Sequence, residues 1–199
     1  MLSLSALRLR ACVVAALLLV VTAVPTTQNG DLPARYTALA VNLGDTPVRW
    51  TTKSVEIVVN RWSPTAARDR LVSVLLEKGP DKLLEALRKS PRVGYIRTPD
   101  SIGYDVRFAQ HLPGEDGGER VVLMTDRYIS FWEQVNRPRT VDYPFTVVDL
   151  RITPNGEGTG KMSLFAKIAV DKKDNTITIE DYGTQPVLLQ GLKKQSKTD

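Results

Sequence analysis

The clearest pattern in the chain lies in its last third, where apolar and polar residues alternate in separate runs. Alternation with a period of two places successive side chains on opposite faces, so each run predicts a β-strand. Glycine, asparagine and aspartate lie between the runs and favour tight turns, so the strands are predicted to pair antiparallel. The runs cover residues 143–152, 161–170, 175–182 and 185–190.

The same alternation predicts further strands earlier in the chain. In one of them, 102–112, the pattern predicts a polar face carrying Asp105, Arg107 and His111. The opposite face of that strand is predicted to carry Ile102, Tyr104, Val106, Phe108 and Leu112. The earlier strands are predicted at 35–42, 54–62, 92–97, 102–112 and 120–125.

Between the second and third predicted strands the apolar period becomes helical. Ser63 is predicted to cap a first helix, and Pro64 fits its first position because proline lacks the N–H that would be unpaired there. Gly79 and Pro80 end that helix and begin a second one, which Pro91 ends. Leucines recur on one side of both helices, so the pair is expected to pack against the sheet.

These elements define the predicted fold class. We expect an α+β fold with a mainly antiparallel, strongly curved sheet or sandwich of about eight or nine strands. The helical hairpin is inserted after the second strand. The predicted domains are a signal peptide at 1–23, a flexible leader at 24–33, a single α+β domain at 34–192 and a disordered basic tail at 193–199.

The N-terminal residues predict export. Arg8 and Arg10 precede an uncharged apolar stretch at 11–24. This stretch suits a secretory signal peptide and is short for a membrane span, which needs about 20 apolar residues. Small residues before Ala23 place the predicted cleavage near Ala23, and an uncleaved anchor is the alternative. The protein is therefore expected in the periplasm or secreted, with the signal sequence as its membrane contact.

The composition and charge of the chain limit which partners, disulfides and cofactors are expected. The chain has 27 lysines and arginines against 22 acidic residues, a net charge of +5, and its basic cluster lies near the C-terminus, so nucleic acid is not an expected partner. The single cysteine, Cys12, lies in the predicted signal peptide, so no disulfide is expected after cleavage. His111 is the single histidine, and no metal or other cofactor is predicted.

The candidate site lies in the segment 126–143, where aromatic, basic and acidic residues concentrate. Aromatic rings and arginines together can form the wall of a ligand site, while carboxylates can move protons. The structural alternative is a crossover held by ion pairs. The candidate ligand-binding residues are Arg127, Trp132, Arg137, Arg139 and Tyr143, and the candidate catalytic residues are Asp126, Glu133 and His111.

Two functions remain open from the sequence. The leading hypothesis is a non-catalytic binding or interaction domain of the cell envelope or the medium, with a small molecule or an envelope protein as its partner. It follows from predicted export and from a sequence without a nucleophile, metal or cofactor motif. The alternative is a small hydrolase or isomerase that uses carboxylates and arginines of 126–143. His111 is interpreted as a solvated strand residue, with a general base as the alternative role.

Overall fold

The computed structural model describes residues 32–42, 52–114, 117–127, 145–171, 176–181 and 186–195. The predicted signal peptide lies outside the described residues, as does the segment 128–144. The elements are β1 (Ala34–Val41), β2 (Thr52–Val59), α1 (Thr65–Lys78), α2 (Pro80–Arg88), β3 (Gly94–Arg97), β4 (Tyr104–Pro113), β5 (Glu119–Thr125), β6 (Phe145–Ile152), β7 (Glu157–Asp171), β8 (Thr176–Asp181) and β9 (Val187–Gln195).

The sheet closes on itself. Its strand order is β6-β5-β4-β3-β2-β1-β9-β7-β8, and an additional pairing joins β6 to β7. The ring therefore contains every described strand except β8, which pairs with the second half of β7. All pairings are antiparallel. The predicted antiparallel α+β class and the hairpin after the second strand are confirmed, and the curved sheet forms a barrel rather than a sandwich.

Inward-facing side chains fill the barrel. A closed ring of about eight strands has an interior just wide enough for side chains or for one small ligand. Alternate residues of the barrel strands form one buried cluster, which explains the apolar alternation in the sequence. Its members include Tyr36, Val55, Ile57, Ile96, Val106, Ala109, Leu123, Val148, Leu150, Met162, Leu189 and Leu192.

The helical hairpin covers part of the outer surface of the barrel and forms a second core there. Burial of each leucine of the hairpin stabilises the folded state by roughly 1.5–3 kcal/mol. The predicted packing of the leucine faces on the sheet is confirmed. This core contains Leu71, Leu75, Leu83 and Leu87 from the helices and Phe108, Phe145, Val147, Ala166 and Ile168 from the strands.

A β-bulge in β4 changes which side chains face inward. The pairing of β4 with β5 shifts register between Val106 and Phe108. Val106 and Ala109 lie in the inner core, whereas Phe108 packs under the helices. The prediction that Val106 and Phe108 share a face is therefore wrong, as is the shared face of Arg107 and His111. A bulge inserts one residue, so the alternation on either side of it is out of phase.

Ser63 fixes the start of the helical hairpin to this bulge. The backbone N–H of Ser63 donates to the carbonyl of Ala109 at 2.7 Å, and Ser63 Oγ accepts from the N–H of Ala109 at 3.0 Å. Helix α1 begins after Pro64 without a side-chain cap. The predicted capping role of Ser63 is wrong because its hydroxyl is committed to the strand.

The last strand extends further than predicted. Strand β9 includes Lys193, Lys194 and Gln195, so the predicted disordered tail at 193–199 is wrong for these three residues. They pair with β1, where Lys194 lies opposite Tyr36. Neither helix in the described part of the chain is long and apolar enough to cross a membrane.

Candidate functional site

One end of the barrel carries ionisable side chains on its inner surface. Strands β1, β3, β5 and β7 begin at this end, and β2, β4, β6 and β9 finish there, as their antiparallel pairing requires. We call it the polar end. Its polar cluster consists of Tyr36 on β1, Trp62 after β2, His111 on β4, Glu119 on β5 and Lys194 on β9.

Strand phase explains why these side chains point inward. Glu119 is two residues before Val121 and four before Leu123, both of which are fully buried in the inner core. Lys194 lies directly opposite Tyr36, and residues paired across neighbouring strands share a face. The cluster is therefore a continuation of the inner core in which the side chains are polar.

An ion pair crosses the interior of the barrel. Lys194 Nζ lies 2.5 Å from Glu119 Oε1. Strands β9 and β5 are separated by β7 and β6 along one side of the ring and by β1 to β4 along the other. The two side chains are 22% and 28% exposed, so the pair is partly desolvated and each charge depends on the other.

His111 lies beside this ion pair. Its Nε2 is 3.2 Å from Glu119 Oε2, and its ring centroid is 5.3 Å from that of Trp62. The side chain is 17% exposed. The interpretation of His111 as a solvated strand residue is therefore wrong, and the cause is the bulge, which turns this part of β4 so that His111 faces inward.

The cluster contains buried polar atoms that are not hydrogen-bonded. Within the described residues, Tyr36 OH, His111 Nε2 and Glu119 Oε2 have essentially no accessible surface and no hydrogen-bond partner. The contact between His111 and Glu119 is close, yet it lacks the geometry of a hydrogen bond. A buried polar atom without a partner costs about 1–3 kcal/mol, so such atoms are uncommon in folded proteins.

Tyr36 is the most deeply placed member of the cluster, with an exposed fraction of 0%. Burial, and secondly the negative charge of Glu119, raise the pKa of the Tyr36 phenol above its ordinary value. The phenol therefore keeps its proton at neutral pH and can donate a hydrogen bond into the cluster.

A cavity of about 510 Å³ adjoins the cluster at the same end of the barrel. Glu119 is the cluster residue that lines it, and the other lining side chains include two cations and several neutral residues: Arg120, Arg151, Pro113, Ile152, Thr153 and Thr159. A second cavity, of about 200 Å³, lies on the outer surface beneath α1, and among the described residues Arg68 and Gln110 are the polar ones that line it. The first cavity therefore offers the hydrogen-bonding groups that a polar ligand requires.

The structure separates the predicted catalytic residues that it describes. Asp126 Oδ2 lies 3.2 Å from Arg107 Nε, and Arg107 also contacts the carbonyl of Ser90 after α2, so this network lies on the outer surface. Asp126 follows the end of β5 that is opposite to the polar end. His111 pairs with Val121, so it lies roughly 15 Å from Asp126 along the strand direction.

Arg127 is the one predicted ligand-binding residue within the described chain. Its guanidinium carbon lies 5.1 Å from the centroid of the Tyr104 ring, a cation–π contact at the same end as Asp126. The other candidates lie outside the described residues and remain predictions; they are Trp132, Glu133, Arg137, Arg139 and Tyr143.

Tyr36, Glu119 and Lys194 belong to the site, but none of them was predicted as a site residue from the sequence. The inward position of Glu119 was predictable from the sequence, because Glu119 lies two and four residues before the apolar residues Val121 and Leu123, which face the inner core. The position of Lys194 was not predictable in this way, because the last strand was predicted to end at residue 190. Trp62 is partly buried and packs against the inner core.

Comparisons of the chain with protein-family models, curated protein sequences and solved structures find no match. Within the described residues, no group of three or more histidine, cysteine, aspartate or glutamate side chains could hold a metal ion.

Proposed function

We propose that this chain is an exported, non-catalytic binding domain, and that its ligand is a small polar molecule bound at the polar end of the barrel. The observation that carries the proposal is the set of three buried polar atoms without hydrogen-bond partners in the described residues: Tyr36 OH, His111 Nε2 and Glu119 Oε2. A buried polar atom without a hydrogen-bond partner is unfavourable, and a ligand that bonds to these atoms would offset that cost.

The scaffold supports this role. The cluster side chains are held by paired strands and by the Ser63–Ala109 contact, so their positions are largely set before a ligand binds. Glu119 also lines the adjoining cavity of about 510 Å³. A concave, inward-facing site favours a small molecule over an envelope protein, which would require an exposed surface.

Export rests on the N-terminal pattern. Arg8 and Arg10 before the apolar stretch 11–24 favour secretion, with cleavage near Ala23. Sequencing the N-terminus of the protein purified from an expressing host tests this part directly. A mature chain that begins within two residues of position 24 is expected, and an intact N-terminus contradicts cleavage.

Binding is favoured over the hydrolase or isomerase alternative by the placement of the acidic candidate. The Asp126 carboxylate is held by Arg107 on the outer surface, and His111 lies at the other end of the barrel. A general base and its partner must lie within hydrogen-bond reach of one substrate. Asp126 and His111 therefore cannot serve one substrate in this arrangement.

Native mass spectrometry of the purified protein and thermal-shift screening with small polar metabolites test the proposed function. A bound ligand is expected to raise Tm, because it binds the folded state alone. Lys194→Met should abolish this shift, and Lys193→Met is the matched control because Lys193 is exposed on the same strand. Tyr36→Phe provides a second site variant if Lys194→Met does not fold. The proposal is contradicted if a ligand raises Tm equally in the wild type and in all three variants. It is also contradicted if the screen finds no ligand.

A further inference from the structure

The cavity of about 200 Å³ beneath α1 is a second candidate site, on the outer surface of the barrel. We propose that it binds a free medium-chain fatty acid, with the acyl chain between the helical hairpin and the barrel and the carboxylate at Arg68. We call this space the hairpin cavity. None of the residues that line it belongs to the polar cluster, so this binding site is additional to the one under the proposed function.

The outer face of the barrel changes from charged to apolar where the hairpin covers it. On β5 the outward positions are Arg120, Val122 and Met124 in turn, since the residues between them face the inner core. On β6 the corresponding change runs from Asp149, which pairs with Arg120, to Val147. Val122 and Met124 are only half-buried although they lie under the hairpin. The hairpin therefore covers this apolar surface without closing on it.

Helix α1 forms the roof of the hairpin cavity. Its buried residues are Leu71 and Leu75, and both line the cavity together with the half-buried Val72. Protein interiors are normally close-packed, and a gap between packed elements destabilises the fold, so a ligand that fills it gains contacts on both sides. An apolar cavity of about 150 Å³ can bind benzene. A cavity of about 200 Å³ therefore suits one short acyl chain.

Arg68 places a positive charge at the rim of this apolar space. It precedes Leu71, Val72 and Leu75 by three, four and seven residues, the spacing that puts side chains on one side of a helix. Arg68 is exposed, so the cavity reaches the surface at its guanidinium. Its contact with the adjacent Asp69, at 3.5 Å, is also exposed and contributes little. Among the described lining residues Arg68 is the charged one, and none is acidic.

These features fit a fatty acid better than other amphiphiles. A carboxylate can accept two parallel hydrogen bonds from a guanidinium, and the Gln110 side chain, which also lines the cavity, can donate another. A cationic head group would instead meet the like charge of Arg68. A lipid with two acyl chains requires more apolar space than about 200 Å³ provides. The ligand class is therefore a single acyl chain with an anionic head.

Isothermal titration calorimetry with four probes tests the inference, all of them below their micelle concentrations. The probes are octanoate, octanol, octyltrimethylammonium and acetate, which separate the contributions of chain and charge. We expect octanoate to bind, octanol to bind about threefold more weakly and octyltrimethylammonium at least about tenfold more weakly, because an exposed ion pair adds a modest attraction and a like charge opposes binding. Acetate, which has the carboxylate without the chain, should not bind measurably.

Three substitutions locate the site. Arg68→Gln should lower the octanoate affinity by about threefold and leave that of octanol unchanged. Arg88→Gln is the matched control, since Arg88 is exposed in the last turn of α2 and does not line the cavity. Val122→Phe places a larger side chain in the cavity and should abolish binding of both octanoate and octanol. Val72→Phe fills the cavity from α1 and replaces it if Val122→Phe does not fold by circular dichroism.

Each contrary outcome overturns a stated part of the inference. If octanol binds as tightly as octanoate and Arg68→Gln has no effect, the anionic class is wrong. If binding survives cavity filling, the ligand lies elsewhere and the site is wrong. If octanoate does not bind the wild type, the whole inference is wrong, and a dimer in sedimentation velocity that Val122→Phe dissociates would show that a second copy covers the cavity. The metabolite screen tests the polar end independently of all these results.

Discussion

Ser63 and Ala109 exchange two hydrogen bonds at the point where the helical hairpin leaves the barrel. Ala109 follows the bulge of β4, and Ser63 directly precedes the first residues of the hairpin. This pair therefore links three features: the bulge, the start of α1 and the inward position of His111.

Ser63→Ala is predicted to destabilise the protein by about 1–3 kcal/mol, because the buried N–H of Ala109 loses the oxygen that accepts from it. Urea denaturation followed by circular dichroism measures the change. Ser73→Ala is the control, since Ser73 is exposed on α1 and its replacement should change the free energy of unfolding by less than about 0.5 kcal/mol. Equal effects of the two substitutions would contradict the role assigned to Ser63.

Lys194→Met is predicted to lower the free energy of unfolding by about 1–3 kcal/mol. The substitution leaves the partly buried carboxylate of Glu119 without its cation, and residual exposure reduces the cost below that of a fully buried pair. Lys193→Met, on the exposed side of β9, should have little effect. The double variant Lys194→Met/Glu119→Gln should recover part of the lost unfolding free energy. If the effects of the two single substitutions simply add in this double-mutant cycle, Lys194 and Glu119 are not coupled.

Tyr36→Phe is predicted to change the alkaline stability of the protein. Because the pKa of Tyr36 is raised by burial, the folded chain keeps this proton above about pH 10, where the unfolded chain loses it. The unfolded state then binds fewer protons, so the stabilising contribution of the protonated phenol, complete below pH 10, is lost as pH rises. Urea midpoints between pH 8 and 11 should fall less steeply in Tyr36→Phe than in wild type.

At neutral pH, Tyr36→Phe should be neutral or stabilising in the absence of ligand, because it removes a buried hydroxyl that has no partner in the described residues. A loss of stability at pH 7 would show that this hydroxyl has a partner in the free protein.

Asp100 is predicted to titrate well below its ordinary value. A hydrogen bond from Lys53 Nζ at 2.7 Å, and secondly one from the Thr98 hydroxyl, lower the pKa of Asp100 from 3.8 to about 2. The carboxylate then stabilises the folded state above about pH 4, and this contribution is lost as pH falls toward 2.

NMR titration of the Asp100 side chain measures this pKa, and Lys53→Met should raise it toward 3.8. Lys78→Met, at the end of α1, should leave it unchanged. A wild-type pKa near 3.8 would contradict the hydrogen bonds in this turn between β3 and β4.

Strand alternation was sufficient to predict most of the fold. Apolar positions two residues apart predict the strands because the barrel interior buries one face of each strand, and Gly79 with Pro80 predicts the break between the helices. Closure of the barrel was not predictable in this way. It depends on pairing between β1 and β9 and between β6 and β7, and alternation within one strand carries no information about its partners.

The site was harder to predict, and His111 shows why. Its inward position depends on the single-residue register shift between Val106 and Phe108, which reverses the face of every later residue in β4. No residue type in this part of the strand marks the bulge. Glu119 and Lys194 come together only across the closed ring, so their proximity requires the complete topology.

The pairing of the first and last described strands has a consequence for the order of folding. Gln195 Nε2 donates to Thr37 Oγ1 at 2.9 Å across a separation of 158 residues, and the same pairing brings Lys194 beside Tyr36. Contacts so distant in sequence close large loops and tend to form late. The polar cluster therefore exists only once the ring has closed, and a partly folded chain has no complete site with which to capture a ligand.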